Sequence, residues 1–177
     1  IIISVILTGR LEMSFAIEKD GKPREIGVLV VTMLIAIFSF FLVLIIIFGI
    51  SLNLFKSLEN GLVIYLPIAA AFTGLNATWQ AFAIADGKYH LLSYFRLIQS
   101  LVTVISQIVF GILNPESMSL VFGLIVGLII SQIYAFYVLP IKLSYFQLNQ
   151  FYSMAKKFIF KHKNFLIYSL PGDSINS

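Results

Sequence analysis

The chain has 177 residues, of which 59% are hydrophobic and 11% are charged, with a net charge of +4 and a mean hydropathy of +0.98. Soluble domains carry about 25% charged residues, so the composition excludes a soluble globular fold and predicts an all-α integral membrane protein. The sequence contains no Cys, which excludes disulfides, thiolate metal sites and cysteine nucleophiles. Its two histidines, His90 and His162, each lie near lysines, so we expect neither a metal site nor a cofactor.

Long uncharged stretches dominate the chain. About 20 apolar residues cross the roughly 30 Å hydrocarbon core of a bilayer as a helix. The pattern therefore predicts spans near residues 1–8, 26–50, 61–85, 91–113 and 117–141. Because the first residues already lie in an apolar stretch and the last approach another one, we expect a fragment of a longer protein.

With one exception, the positively charged residues lie in every second gap between these stretches. Eleven of the twelve Lys and Arg residues lie in residues 9–25, 86–96 and 142–164, and Lys56 is the exception. Loops rich in Lys and Arg remain on the cytoplasmic side. The alternation therefore predicts that these three segments are cytoplasmic, and it gives no indication of nucleic-acid binding.

The first basic gap, residues 9–25, contains the turn signal Asp20-Gly21, and Pro23 suits the first turn of a helix. We expect a tight, solvated loop there. The span that follows, residues 26–50, is almost entirely apolar, so it should face lipid over much of its surface.

Unlike the span 26–50, the stretch 61–85 contains a proline, Pro67, which should bend the helix. Its second half contains four polar side chains in addition to the small residue Gly74: Thr73, Asn76, Thr78 and Gln80. Amides in hydrocarbon need a partner or water. Two interpretations stay open, namely hydrogen bonding between helices and a polar wall of an internal cavity.

Residues 91–113 contain the clearest polar stripe. Its members are separated by three, four and four positions, so they share one helix face: Arg96, Gln99, Thr103 and Gln107. Polar residues within a span usually face the bundle interior or a water-filled cavity. The alternatives are an interfacial position for Arg96 with its charge in the headgroups, and helix–helix hydrogen bonds for the amides.

The last two segments predict packing and surface attachment. Gly123 and Gly127 form a GxxxG motif, which favours close helix approach, and we expect it to act in packing within one chain and not in self-association. Residues 142–164 alternate aromatic residues with lysines, which is typical of an amphipathic helix on the cytoplasmic leaflet. The chain has no P-loop, HExxH or GxSxG motif, so we do not expect an enzyme.

Three parts of the chain match motifs of one family of membrane proteins. The segment 9–17 is similar to a G-R-Y-E-x-A-I loop. The features from Leu66-Pro67 to Gly74-Leu75, and then Asp86 to Tyr89 with Arg96 and Gln99-Ser100, are similar to the fourth and fifth spans of that family. The segment 165–173 looks like the F-P-x-Y-x-x-P sequence that opens its second half. Together these parts resemble the bacterial polysaccharide flippase family, which exports O-antigen and teichoic acid and is related to multidrug exporters of the MATE type.

The resemblance implies two six-helix lobes around a cavity that opens alternately to each side. Residues 1–141 would then be an incomplete first lobe from the end of span two through span six, residues 142–164 the cytoplasmic linker, and residues 165–177 the truncated start of the second lobe. The implied substrate is a polyprenyl-pyrophosphate-linked oligosaccharide, moved across the bacterial cytoplasmic membrane. Other polysaccharide-assembly membrane proteins are possible partners.

On this hypothesis an arginine near the cytoplasmic mouth holds the pyrophosphate, with Arg96 as the first candidate and Arg10 as the second. Amides and hydroxyls would replace the hydrogen bonds that the sugar loses on leaving water. The candidates for this cavity wall are Gln99, Thr103, Gln107, Asn76 and Gln80. Two alternatives remain: a drug or metabolite exporter of the MATE type, and a membrane-embedded glycosyl- or acyltransferase.

Overall fold

A computed structural model describes residues 2–52, 60–113, 117–139, 148–165 and 167. These residues form six α-helices and a short 3-10 helix, Leu11–Ala16, between the first two. The helices are α1 (Ile2–Thr8), α2 (Lys22–Ser51), α3 (Asn60–Ala85), α4 (Tyr89–Leu113), α5 (Ser117–Val138) and α6 (Leu148–Lys161). No strand occurs in this part of the chain, which confirms the all-α prediction.

Within the described residues, three helices are long and apolar enough to cross a membrane. They are α2 with 30 residues, α4 with 25, and Met118–Val138 of α5 with 21. These coincide with the spans predicted at residues 26–50, 91–113 and 117–141, so the prediction of a helical membrane protein is confirmed at this level. Helix α3 occupies the predicted stretch 61–85 but is not among the three, and its membrane crossing stays a prediction.

Helix α3 lies at the centre of the packing. It contacts α1, the 3-10 helix, α2, α4 and α5, whereas the most extensive contact of all joins α4 to α5. Apolar side chains from several elements fill the core around it, among them Leu7, Phe15, Val31, Ile35, Trp79, Phe82, Phe95 and Ala135. Thr8 and Ile35 pack closely on Gly74 of α3. A Cβ at this position would lie 3.3 Å from the methyl group of Thr8 and 3.5 Å from the Cδ1 methyl group of Ile35.

The two halves of α2 have different surroundings. Val28, Val31 and Ile35 in the first half are at most 1% exposed. The second half presents a run of bare apolar side chains that are 46–69% exposed: Ile37, Phe38, Phe40, Phe41, Leu44, Ile45, Ile47 and Phe48. Such a surface suits lipid and not water. The expectation that this span faces lipid therefore fits its second half.

The segment before α2 is the expected solvated loop only in part. Residues 19–23 are exposed and include the turn at Asp20-Gly21. Ahead of them lies the 3-10 helix, in which Leu11 and Phe15 are completely buried against α2 and α3. Gly9 and Arg10 both have φ of 58°, and this left-handed turn directs the chain from α1 into the 3-10 helix. The prediction of a solvated loop is wrong for the 3-10 helix, because its apolar residues belong to the core.

Other sequence features fall partly within the described residues. Pro23 occupies the first turn of α2 as expected, and α3 continues as a helix through the buried Pro67. Helix α6 accounts for residues 148–161 of the predicted linker. The residues 142–147, Lys56 and the segment 168–177 lie outside the described residues.

Candidate functional site

The polar stripe of α4 separates into two parts. Arg96 is exposed, and its Nε donates a hydrogen bond to Oε1 of Gln80 on α3 at 3.2 Å. The two Nη atoms of Arg96 donate to no acceptor within the described part of the chain. This guanidinium is therefore oriented by one bond while most of its donors face outward.

The other three members of the stripe lie against α5. A Cβ on Gly123 would lie 2.7 Å from the backbone nitrogen of Gln107, and one on Gly127 would lie 3.0 Å from the carbonyl oxygen of Gln99 and from Cα of Thr103. Nε2 of Gln107 donates to the carbonyl of Leu120 at 3.1 Å. The two glycines thus let the α4 backbone approach α5 along the polar face.

Gln107 thus makes the kind of helix–helix hydrogen bond that the alternative interpretation gave to the amides, whereas Gln99 is in contact with α5 through its backbone carbonyl. Small residues at a helix interface permit such close approach in a membrane. A role for these three side chains in binding substrate stays a prediction.

Asn76 is buried between α3 and α5. Its Oδ1 accepts hydrogen bonds from Nε2 of Gln132 and from the hydroxyl of Ser131, the latter at 3.1 Å. All three side chains are at most 3% exposed. Nδ2 of Asn76 and Oε1 of Gln132 have no partner among the described residues, so this polar cluster retains hydrogen-bonding capacity in the interior.

Arg24 lies in the first turn of α2. Among the described residues, its side chain makes the most hydrogen bonds and ion pairs. Its exposure is only 4%. The guanidinium donates to the carbonyls of Phe15 and Glu18 at 3.1 and 3.0 Å, and to the carbonyl of Ala85 at 2.9 Å. It also pairs with Asp86 at 2.7 Å and with Asp20 at 2.6 Å. We call this group the Arg24 cluster.

The Arg24 cluster joins the segment after α1 to the end of α3. The carbonyl of Ala85 belongs to the last turn of α3, where backbone acceptors lack intrahelical partners and a cation is favourable. Gly87, with φ of 70°, then turns the chain into α4. Arg24 therefore fixes the relative positions of the first two basic gaps.

Glu18 makes the second connection. One of its carboxylate oxygens lies 2.8 Å from Nζ of Lys161 and 2.7 Å from Nε2 of His162, immediately after α6. Glu18 and His162 are 7% and 5% exposed. Burial by itself would raise the pKa of Glu18, but the hydrogen bonds from His162 and Lys161 and their charges outweigh it, so the pKa lies below its ordinary value of 4.5.

Helix α6 is seated on α2 next to this pair. The ring of Phe158 covers Gly27, where a Cβ would lie 2.7 Å from a ring carbon. Phe158 also packs against His162, with ring centroids 4.9 Å apart. The ionic contact of Glu18 is thus backed by an apolar contact one turn earlier on α6.

Together these contacts bring all three basic segments to one end of the helix bundle, which we call the basic end. Sequence counting placed the three on one side of the membrane, and the Arg24 cluster and the Glu18 pair connect them directly. The cytoplasmic location of the basic end stays a prediction.

Sequence reasoning did not single out Arg24, Glu18 or His162. The available signal was the position of Arg24 and Asp86, which stand at the ends of successive apolar stretches on the same predicted side. Arg10, which was singled out, lies in the left-handed turn with its guanidinium 3.9 Å from Glu12. It is not part of the Arg24 cluster.

Among the described residues, no group of three or more His, Asp or Glu side chains could hold a metal ion. Comparison of the chain with family models, curated proteins and solved structures found no match.

Proposed function

We propose that this chain forms part of a transporter that moves a polyprenyl-pyrophosphate-linked oligosaccharide from the inner to the outer face of the bacterial cytoplasmic membrane. The observation that carries the proposal is Arg96, a cation with outward-facing donors on a helix that can span a membrane. Arg96 lies seven residues into α4, which corresponds to roughly 10 Å from the basic end.

That depth suits a phosphate-bearing lipid. A pyrophosphate cannot enter hydrocarbon alone, because its charge would lose hydration without compensation. A guanidinium offers forked, charge-assisted hydrogen bonds to phosphate oxygens. Gln80 accepts from Nε of Arg96 and leaves the Nη edge to the substrate.

The neutral polar groups supply a second element of the proposal. The cluster around Asn76 lies between α3 and α5 and has hydrogen-bonding atoms without a partner in the described residues. Sugar hydroxyls need such groups when they leave water. In the proposed mechanism, alternating access rocks this group of helices against a second lobe, and the basic end remains on the cytoplasmic side.

A transport assay on the complete protein in vesicles tests the proposal. Arg96→Ala should lower transport of the lipid-linked oligosaccharide about 30-fold, since a charge-assisted hydrogen bond contributes about 2 kcal/mol. Arg96→Lys should retain part of the activity, and Leu97→Ala, at a neighbouring residue that is also exposed, should leave transport unchanged. Full transport by Arg96→Ala would contradict the role of Arg96.

A further inference from the structure

A groove of about 450 Å³ lies between the start of α2 and α6. Four lysines line it together with one carboxylate and four apolar side chains: Glu18, Lys19, Lys22, Pro23, Ile26, Met154, Lys157, Phe158 and Lys161. We call this the lysine groove. Its volume is in the range of small-molecule binding sites, about 300–1,000 Å³.

The charge of the groove is strongly positive. Glu18 is its one acidic residue, and it is compensated by Lys161 and His162. Lys19 and Lys157 are exposed and make no hydrogen bond or ion pair with the described part of the chain. These two lysines line the groove from different elements, the turn before α2 and helix α6, and their positive charges would be complementary to an anion.

The groove is also apolar on its floor. Pro23 and Ile26 come from the first turns of α2, and Met154 and Phe158 come from the face of α6 that lies against it. A hydrated inorganic anion gains nothing from such a floor. An amphiphile whose anionic group continues into hydrocarbon would gain from both parts.

The position of the groove selects among amphiphiles. The groove opens beside the first turns of α2, a helix long enough to span the membrane. The start of such a helix corresponds to the depth of the lipid headgroups. The bare apolar side chains of α2 described above begin at Ile37, and the buried first half of the helix separates them from the groove.

We propose that the lysine groove is a binding site for the phosphate headgroup of an anionic phospholipid of the surrounding leaflet. Lys19 and Lys157 contact the phosphate from opposite sides, and the glycerol region lies on Pro23, Ile26, Met154 and Phe158. The bound lipid joins α6 to α2 in addition to the direct contact between Glu18 and His162. The inference does not depend on the transported substrate.

Native mass spectrometry of the chain in detergent tests the proposal with phosphatidylglycerol and phosphatidylcholine of identical acyl chains. Phosphatidylglycerol should be retained in preference. The variant Lys19→Gln/Lys157→Gln should weaken its retention about 30-fold, because each lysine near an anionic headgroup contributes a factor of about five. Lys19→Arg/Lys157→Arg, which preserves both charges, should retain the preference.

The matched control removes the same charge from the other side of α6. Lys156 and Lys163 line a separate groove of about 350 Å³ with Tyr152, Ile159 and Phe160. Lys156→Gln/Lys163→Gln should leave the preference for phosphatidylglycerol intact. Equal loss in the two double variants would show that net charge alone determines the preference. No loss in either would show that these lysines do not contribute to it. Either result would overturn the proposal.

Excess glycerol phosphate distinguishes a lipid site from a site for free phosphate. It lacks the acyl chains that continue into the hydrocarbon, so it should not displace phosphatidylglycerol. Complete displacement at equal concentration would overturn the assignment to a lipid. Helical circular dichroism of each variant should equal that of the unsubstituted chain, since the substituted lysines are exposed.

Discussion

At the basic end, elements far apart in sequence are joined through charged side chains, whereas α4 and α5 are joined through two glycines and neutral polar groups. The first region places a buried arginine on carbonyls and carboxylates of two segments, residues 15–20 and 85–86. The second allows backbones to approach until a single added Cβ would collide. In the first region, stability depends on charged hydrogen bonds and ion pairs. In the second, it depends on glycines whose lack of a side chain lets the helices approach.

The difference follows from the surroundings. A charged group is tolerated at the end of a spanning helix, where water and headgroups are near, but it is costly deep in hydrocarbon. Inside that layer lipid tails are as apolar as the side chains, so association rests on close packing and hydrogen bonds. Substitutions in the two regions should therefore respond to different perturbations.

The largest effect is expected from Arg24→Ala. The substitution leaves the carbonyls of Phe15, Glu18 and Ala85 without this donor, and Asp86 keeps only its ion pair with Lys88. The free energy of unfolding should fall by about 3 kcal/mol, as for other buried charge pairs that lose one member. Unfolding in a detergent titration measures it.

Lys19→Ala is the control for Arg24→Ala, because it removes an exposed charge from the same segment. Its effect should stay within about 0.5 kcal/mol. Equal effects of the two substitutions would show that the buried contacts of Arg24 do not hold the basic end.

The next effect is expected at the α4–α5 interface. Gly123→Ala places a methyl group 2.7 Å from the backbone nitrogen and 2.8 Å from Cα of Gln107, so the helices must separate. Overpacking of this kind costs about 2 kcal/mol. The effect should be independent of salt, in contrast to changes in exposed charges at the basic end.

Gly111→Ala provides the matched control within α4, since a Cβ there meets no atom within 4 Å. It should leave stability unchanged or raise it by about 0.5 kcal/mol, because alanine favours the helix over glycine. A destabilisation equal to that of Gly123→Ala would mean that the close approach of α4 and α5 is not what matters.

A moderate effect is expected from Glu18→Gln. Loss of the charged acceptor for Lys161 and His162 should cost about 1.5 kcal/mol and should appear locally as faster hydrogen exchange in α6. Exchange in α4 and α5 should not change. Faster exchange throughout the chain would contradict a local role.

The pH dependence of the same contact has a definite sign. The pKa of Glu18 is lowered in the folded protein, so its stabilisation is fully present above the ordinary value of 4.5 and is lost as pH falls through the lowered value. Exchange in α6 should therefore accelerate on acidification, and Glu18→Gln should reduce this acceleration. An unchanged acid response in the variant would assign it to other groups.

The smallest effect is expected from Ser131→Ala. The hydroxyl donates toward Asn76 at 3.1 Å and toward the carbonyl of Leu128 at 2.8 Å, so its removal leaves the Asn76–Gln132 bond in place. Hydrogen bonds between helices in membranes contribute about 0.6 kcal/mol on average. A loss comparable to that of Arg24→Ala would show that neutral bonds matter as much as the ionic ones.

Helix positions could be predicted well because apolar stretches are long and uncharged. The predicted boundaries of residues 91–113 differ from those of α4 only at the first two residues. The shared face of Gln99, Thr103 and Gln107 was also evident from spacing. Spacing cannot tell whether such a face meets water or another helix, and here the facing surface is supplied by Gly123 and Gly127 on α5.

The contacts of the basic end could not be predicted from local pattern. Arg24 bonds to Ala85 and Asp86, and Glu18 bonds to Lys161 and His162, across long intervals of sequence. Charge counting treats all these residues as equivalent surface groups. It cannot identify which of them are buried, because burial depends on how elements distant in sequence pack together, as Phe15 and Phe158 do at Gly27.

The central claim is that the three basic segments meet on one side of the membrane. The chain contains no Cys, so single cysteines can be introduced without background. Lys19→Cys, Lys88→Cys and Lys157→Cys should all react with a membrane-impermeant maleimide in inverted vesicles and not in right-side-out vesicles. Reaction of any one of the three from the opposite side would contradict the account.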